Sequence, residues 1–355
     1  MTVAMITDTH FGVKNDATEF VDHQVQYYND VFFPELLARG VKTIIHLGDI
    51  FDRRKYTNHN TLHRFRECFF DKLKEYDMTM YLIVGNHDTY FKSTNDVNAP
   101  GLFLEGYEDH IVLIESPECI EIEGTPIQFM PWINAENYHD SIKAMNESDA
   151  GICMGHFEIR GFEMNRGGGV NMSGLKAEVF DAFHTVFSGH FHEPSSDGRI
   201  TYLGAPYEYT WADHDCDRGF YFYDPAENVT EYIRNAEHMF HRIMYDDVFD
   251  SVDLESFDFE QFEGKIVRVI VSEKNDNDKF ENFVERIEHA GPYNFEVIDN
   301  SAYHIAGDDV DEEALKNEDT LGIVTSYVDQ SEITLDKEKL NGMFKNLYVE
   351  ALAVD

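Results

Sequence analysis

At 355 residues, 43% of them hydrophobic, the chain is long enough for one large domain with smaller appendages around a sizeable core. Its 68 acidic and 28 basic residues give a formal net charge of −40, which excludes binding of free DNA or anionic membranes through bulk charge; a polyanionic substrate needs local basic groups or a partner. No apolar run approaches the roughly 20 residues of a membrane helix, and four dispersed cysteines without a Cys-x-x-Cys pair favour reduced, intracellular thiols over a disulfide scaffold or a zinc knuckle.

The first expected strand, Val3-Ala4-Met5-Ile6-Thr7, begins so early that it leaves no room for a signal peptide, and with the thiols it predicts a soluble cytoplasmic protein. It ends on Asp8-Thr9-His10. Phe20, Val21, Val25, Tyr28, Val31, Phe32 and Leu36 then recur at helical spacing, and Gly40 closes the helix. The strand Thr43–Leu47 ends on Gly48-Asp49-Ile50-Phe51-Asp52. A second helix is expected from about His59 to Tyr76, with Leu62, Phe65, Phe69, Phe70 and Leu73 on one side. The strand Met80–Val84 ends on Gly85-Asn86-His87-Asp88. This alternation predicts a largely parallel sheet with right-handed crossovers.

From Ile111 to Pro131 short strands dominate, with Gly124-Thr125-Pro126 read as a hairpin tip. Ala150–Met154 runs into Gly155-His156, and His184–Ser188 into Gly189-His190-Phe191-His192. Gly167-Gly168-Gly169 has no following Lys-Ser/Thr and reads as a loop, not a phosphate-binding P-loop. Strand patterns return between Arg199 and Arg234. Two β-rich layers around one core predict an α/β fold, a four-layer α/β/β/α sandwich over residues 1–245.

After about Asp246 the character changes, and residues 246–355 hold 29 acidic against 9 basic residues, a net of −20. Lys265–Val271 and Phe295–Ile298 read as strands around a helix containing Phe280, Phe283, Val284 and Ile287, which predicts a small α+β capping domain over 246–305. An acidic linker follows at 306–334. In 335–355, Leu340, Met343, Phe344, Leu347 and Ala351 form one stripe of an amphipathic helix, which either docks a partner or packs back on its own domain.

A lone Asp-x-His or Gly-Asn-His-Asp is a weak signal, since either occurs at caps and turns. Five such blocks at strand ends are another matter, because in an open α/β sheet those ends share the edge where ligand sites form. Asp, His and Asn side chains from distant stretches converge there, the makings of a site for two metal ions. A shared carboxylate holds two divalent ions roughly 3.5–4 Å apart, and together they grip both the attacking and the leaving oxygen of an in-line displacement at phosphorus. Nitrogen and oxygen donors without thiolate favour Mn²⁺, Fe²⁺ or Zn²⁺, with Mn²⁺ the first choice.

The five blocks resemble the calcineurin-like metallophosphoesterase superfamily over roughly residues 1–235. The resemblance implies that Asp8, His10, Asp49 and His192 hold one metal ion. Asp49, Asn86, His156 and His190 hold the other, with Asp49 bridging. It implies a metal-activated hydroxide as nucleophile and His87 as general acid and stabiliser of transition-state charge. In related phosphatases the carboxylate at the position of Asp52 orients that histidine, and the same role is expected here. His46, inside its strand, reads as a satisfied core residue.

Basic residues gather beside the blocks: Arg53-Arg54-Lys55 after Asp52, Arg64 and Arg66 in the next helix, Arg160 and Arg166 after His156. A locally positive rim suits contact with a phosphate backbone, although the same residues also neutralise nearby carboxylates. Tyr202-Leu203-Gly204-Ala205-Pro206 and Arg218-Gly219-Phe220 resemble one branch of the superfamily, the SbcD-type exonuclease subunits of double-strand-break repair and their bacteriophage members. That resemblance implies a Mn²⁺-dependent DNA nuclease, 3′-to-5′ on duplex ends and endonucleolytic on single strands. It implies an ABC-type ATPase partner docked by the C-terminal segment and residence in the cytoplasm, the host's if the chain is phage-encoded. It also implies a homodimer, with helix faces near Leu62–Leu73 and Leu102–Leu104 as candidate surfaces. The motifs are equally compatible with a phosphatase or nucleotide pyrophosphatase, and a non-catalytic binding subunit is opposed by the presence of every expected ligand.

Overall fold

The computed structural model describes residues 2–163, 170–246, 249–301 and Lys337. Two six-stranded sheets lie at its centre. The first runs, in spatial order, Val229–Arg234, Gly219–Asp224, Val3–Ile6, Thr43–His46, Thr79–Ile83 and Ile111–Ile114; the last four strands are mutually parallel. The second runs Glu118–Ile122, Thr125–Met130, Ile152–His156, Thr185–Gly189, Ile200–Tyr202 and Ser195–Ser196, again with a parallel centre.

Side-chain alternation along each strand explains the layering. In the first strand Val3 and Met5 join Ile45, Leu47 and Ile83 against Ile127, Phe129, Met154 and Phe187 of the other sheet, forming the central core. Ala4 and Ile6 point the other way, with Ile44, Met80 and Leu82, into a core covered by the helical segments. Cys153, Val186 and Tyr202 face outward from the second sheet onto Met145 and Phe180. With both faces buried, each strand reads as a continuous apolar run. The α/β/β/α sandwich expected from the sequence is the observed architecture. All four cysteines are free, and among the described residues no helix is long and apolar enough to cross a membrane.

The two expected helices each contain a π-helical turn. The first runs Thr18–Tyr27, then Tyr28–Phe32 as the π turn, then Phe33–Arg39. Pro34 has no N–H to give, so the ladder shifts register just ahead of it. The second runs His59–Phe65, Arg66–Phe70 and Asp71–Glu75, its start capped by Asn58 Oδ1 accepting from the N–H of Asn60 at 2.9 Å. Phe65, Phe69, Phe70 and Leu73 are fully buried, so most of the Leu62–Leu73 face belongs to the core. Leu102, by contrast, is 65% exposed. The hairpin tip is Glu123-Gly124, both at positive φ, while Thr125 and Pro126 already lie in the strand.

A third sheet of three parallel strands, Phe240–Tyr245, Ile266–Val271 and Asn294–Asp299, packs on the helix Asn277–His289 through Tyr245, Val269, Phe283 and Ile287. Its first strand lies ahead of residue 246, where the composition changes. Glu208 ties that strand down: its buried carboxylate accepts from the N–H groups of Met239 (2.8 Å) and Phe240 (2.9 Å) and meets His238 Nδ1 at 3.0 Å. Burial works to raise the Glu208 carboxyl, but His238 and the two N–H groups hold it below its usual 4.5. Glu208 in turn raises His238 above 6.5, against burial. The glutamate contribution is therefore present above about pH 4.5 and lost as pH falls through its lowered value. The histidine contribution is full below about pH 6.5 and lost as pH rises through its raised value. Glu208→Gln should cost about 1.5–3 kcal/mol in urea unfolding at pH 5.5, a gap that closes as pH falls through the lowered pKa of the wild-type carboxylate. The 306–334 linker and the 335–355 helix lie outside the described residues, apart from Lys337, as does the Gly167–Gly169 loop.

Candidate metal centre

The parallel strands of both sheets end at one edge, and the polar blocks meet there. Asp8, His10, Asp49, Asn86 and His87 arrive from the first sheet; His156, His190 and His192 arrive from the second. The sheets are locked together through the site itself. His156 Nδ1 donates to the Leu47 carbonyl at 2.7 Å, and the His190 N–H donates to Asp8 Oδ2 at 2.9 Å. A β-carbon at Gly85 would overlap the amide and carboxylate of Asp49, and one at Gly189 would overlap Thr7 Oγ1, so the motif glycines permit this approach. Asp8, His10, Asp49 and His190 all adopt positive φ, at 50°, 42°, 55° and 90°, a concentration of backbone strain typical of functional sites.

The side chains form two adjoining groups. Asp8, His10 and His192 bring their donor atoms within 4.8 Å of one another, and Asp49, His156 and His190 do the same. His10 Nε2 and His192 Nε2 face each other at 3.1 Å. Asn86 Oδ1 lies 2.9 Å from His156 Nε2 and 2.8 Å from His190 Nδ1. Asp49 Oδ2 lies 3.3 Å from His156 Nε2 and 3.8 Å from His10 Nε2, so it reaches both groups. Most of these facing atoms are acceptors in their neutral or carboxylate forms, and buried His10 Nδ1 has no hydrogen-bond partner among the described residues. Such a donor set fits two cations.

Electrostatics prepare the same outcome. Burial tends to raise the Asp8 carboxyl, yet His10, His156 and His192 bring it down to about 2. Burial opposes ionisation of Asp49 too, and His156, His87 and His10 hold it well below the usual carboxylate range. Burial, with His156, lowers His190 to about 4, and burial with His10 does the same for His192, leaving neutral rings able to ligate. His156 is drawn up to about 9 by Asp49, against burial, so an ion taking its place at Nε2 must displace a proton.

His87 sits half-exposed at the rim, its ring 4.9 Å from that of His10. The hydrogen bond to His87 Nδ1, at 2.6 Å, comes from the Asp52 main-chain oxygen, where the sequence suggested its carboxylate; the carboxylate lies 3.7 Å from His10 Nδ1. His10, Asp52 and His87 make a third group of donors within 4.8 Å. Asp88 anchors the loops: its carboxylate accepts N–H bonds from Asp49, Ile50, Phe51 and Gly85, between 2.8 and 3.2 Å. His46 is a satisfied core residue, bonded to Gly48 N–H (3.2 Å) and Thr9 Oγ1 (3.1 Å).

The basic residues divide. Arg53 pairs with Asp16 and stacks over Tyr56 at 4.6 Å; Arg54 donates to Thr89 Oγ1 at 3.3 Å, and Arg64 pairs with Asp22 at 2.6 Å. Lys55 and Arg160 are exposed. Arg166, Leu340, Met343, Phe344 and Leu347 lie outside the described residues.

A family model described as calcineurin-like phosphoesterase matches residues 1–194, more than half the chain and all five blocks. The chain belongs to the calcineurin-like phosphoesterase family. Exonuclease subunit 1 of Enterobacteria phage T4 is 30% identical over 354 residues, covering 99% of both chains. The DNA double-strand break repair protein Mre11 of Sulfolobus acidocaldarius is 23% identical over 202 residues, 56% of this chain and 51% of that one. A solved archaeal phosphodiesterase aligns with 66% of the chain and 100% of its own at 13% identity and a TM-score of 0.32. As a phosphoesterase the chain surrounds its donor groups with residues that the motifs do not include. The Trp132 ring lies 5.3 Å from that of His190, tilted by 42°. Tyr207, Tyr209, Gln24 and Arg218 hold the site from behind; Arg218 lies in the Arg218-Gly219-Phe220 block, and the tyrosines signal themselves only by their alternation after Gly204-Ala205-Pro206.

Proposed function

We propose that the protein is a Mn²⁺-dependent DNA nuclease of a double-strand-break repair or recombination complex, acting 3′-to-5′ on duplex ends and endonucleolytically on single strands. The observation that carries this reading is the 30% identity to exonuclease subunit 1 across 99% of both chains, because the likeness continues well beyond the phosphoesterase blocks of residues 1–194. A phosphatase or nucleotide pyrophosphatase would share the blocks without needing to share the remainder.

In this reading Asp8, His10, Asp49 and His192 hold one ion, and Asp49, Asn86, His156 and His190 the other. Oxygen and imidazole donors without thiolate suit Mn²⁺. When bound, the ion pair supplies Lewis acidity to the phosphoryl oxygens and acidifies water. The chain's own residues do the rest. Asp88 fixes the loop carrying Asp49, and the Leu47 carbonyl fixes the tautomer of His156. With the Nδ1 proton of His87 held on the Asp52 carbonyl, Nε2 is the nitrogen left to give a proton to the leaving oxygen. Lys55 and Arg160, with Arg53 and Arg54 beside the rim, favour the phosphate backbone; Arg166 belongs to the same set.

The net charge of −40 requires that much DNA affinity come from a partner, an ABC-type ATPase engaged through Leu340, Met343, Phe344 and Leu347. A homodimer using the exposed surface around Leu102 and residence in the host cytoplasm complete the proposal. The test is cleavage of end-labelled duplex and single-stranded DNA with Mn²⁺, beside a small phosphomonoester. DNA cleavage with little phosphomonoester turnover is expected. The reverse pattern would move the protein to the phosphatase branch.

A further inference from the structure

One segment, residues 205–218, grips the first donor group by its main chain, and it lies wholly beyond the stretch that matches the family. Tyr209 Oη donates to the carbonyl of Asp8, and Tyr207 Oη to that of Thr9 at 2.6 Å. Gln24 Nε2 donates to the carbonyls of Thr9 (3.0 Å) and His10 (3.3 Å) and to Tyr207 Oη (3.1 Å). Across the group, the N–H of Ala205 (2.9 Å) and Arg218 Nη1 both donate to the carbonyl of His192. Asp213 joins the two sides. Its Oδ2 accepts from the N–H of Tyr209 (2.7 Å) and Thr210 (2.8 Å), and its Oδ1 from Arg218 Nη2 (2.7 Å).

The ring of Tyr209 also lies edge-on to His10, with centroids 5.5 Å apart, and 5.4 Å from His192. Tyr207, Tyr209, Asp213 and Arg218 are all buried, and their hydrogen bonds reach none of Asn86, His156 and His190. Asp8 and His10 need such a hold. Their φ values of 50° and 42° are strained for residues that carry a β-carbon and persist only where the surroundings fix them.

We propose that Tyr209, backed by the Asp213–Arg218 pair, is a positioning residue that sets the affinity of the Asp8–His10–His192 group for its ion, with far less effect on the Asp49–His156–His190 group, which meets Asp8 through the His190 N–H. The proposal rests on the two-ion reading above. Tyr209→Phe keeps the ring against His10 and His192 but removes the bond to the Asp8 carbonyl. Asp8 then keeps the Thr7 hydroxyl (2.8 Å) and the His190 N–H (2.9 Å) on its carboxylate but loses the hold on its strained main chain, so the carboxylate is set less firmly against the two imidazoles.

The experiment is a titration of the full-length protein with Mn²⁺, followed by calorimetry and by the exchange-coupled signal in electron paramagnetic resonance. Wild type should take two ions and develop the coupled signal. Tyr209→Phe should bind one ion as tightly as wild type and the other about 10- to 100-fold more weakly, with the coupled signal appearing only at high Mn²⁺. Arg218→Gln, acting through the His192 carbonyl, should weaken the same ion. Tyr223→Phe is the control for general loosening: it deletes a buried hydroxyl bonded to Asn228 at 2.8 Å, away from the site, and should leave both affinities unchanged. Two unweakened ions in both Tyr209→Phe and Arg218→Gln would overturn the proposal, as would equal weakening of both ions in Tyr209→Phe. A wild-type protein that binds fewer than two Mn²⁺ would instead overturn the two-ion reading, before any variant is made.

Discussion

Replacing His87 with alanine should lower kcat for DNA cleavage by about 100- to 10,000-fold, the usual worth of a positioned general acid. Both Mn²⁺ ions should remain bound, and KM should change little. His87 is half-exposed at the rim, its Nδ1 is committed to the Asp52 carbonyl at 2.6 Å, and its backbone N–H is spent on Asp49 Oδ1 at 2.6 Å. Its backbone thus serves the metal centre while its Nε2 remains for substrate. The grouping of His87 with His10 and Asp52 makes the contrary outcome specific. If His87 were a ligand, the alanine variant would lose an ion in calorimetry, and raising Mn²⁺ would restore much of the rate. A rate that stays low at saturating Mn²⁺, with two ions counted, identifies proton transfer as the missing contribution. Asp52→Asn bears on the same point. Since the main-chain oxygen orients His87, the amide variant should retain most of the activity that a carboxylate-dependent orientation would forfeit.

The sandwich was legible because strands buried on both faces read as short apolar runs, and each run that serves the site stops at a polar block. Val3–Ile6 and Thr43–His46 stop at Asp8 and Asp49, and the parallel order then brings those ends to one edge. What was not legible follows from ambiguity in the same signals. The Leu62–Leu73 stripe reads identically whether it faces a core or a partner, and the structure buries most of it under the first sheet. The Asp52 side chain and its carbonyl share one letter, so which of them meets His87 depends on the turn geometry. Gly124 announces a hairpin, but only the positive φ of Glu123 fixes the tip one residue earlier than Gly124-Thr125-Pro126 suggests. Tyr209 acts through the carbonyl of Asp8, 201 residues away, and Arg218 through that of His192, 26 residues away; side-chain bonds to distant main-chain carbonyls leave no local pattern. The basic residues were readable as a cluster and not as individuals: Arg53 is occupied by Asp16, whereas Lys55 beside it is exposed.

The variant with the greatest expected loss is Asp49→Asn. Asp49 is the one side chain whose oxygen lies near both groups, 3.3 Å from His156 Nε2 and 3.8 Å from His10 Nε2, and it is fully buried. Asparagine keeps the shape and the neighbouring N–H bonds. It removes the negative charge that holds two cations side by side, and in a buried site that charge is poorly replaced by water. Its amide nitrogen would also turn a donor toward groups that now face it with lone pairs. Each ion should therefore bind at least about 100-fold more weakly, beyond the range seen when a supporting residue is lost, and cleavage should fall below that of His87→Ala at equal Mn²⁺. The three variants then sort by ion count. His87→Ala keeps two ions, Tyr209→Phe keeps one at wild-type affinity, and Asp49→Asn keeps neither. Calorimetric titration of Asp49→Asn decides the point. Retention of one tight ion would mean that Asp49 belongs to a single group and that the bridge between the ions is not its carboxylate.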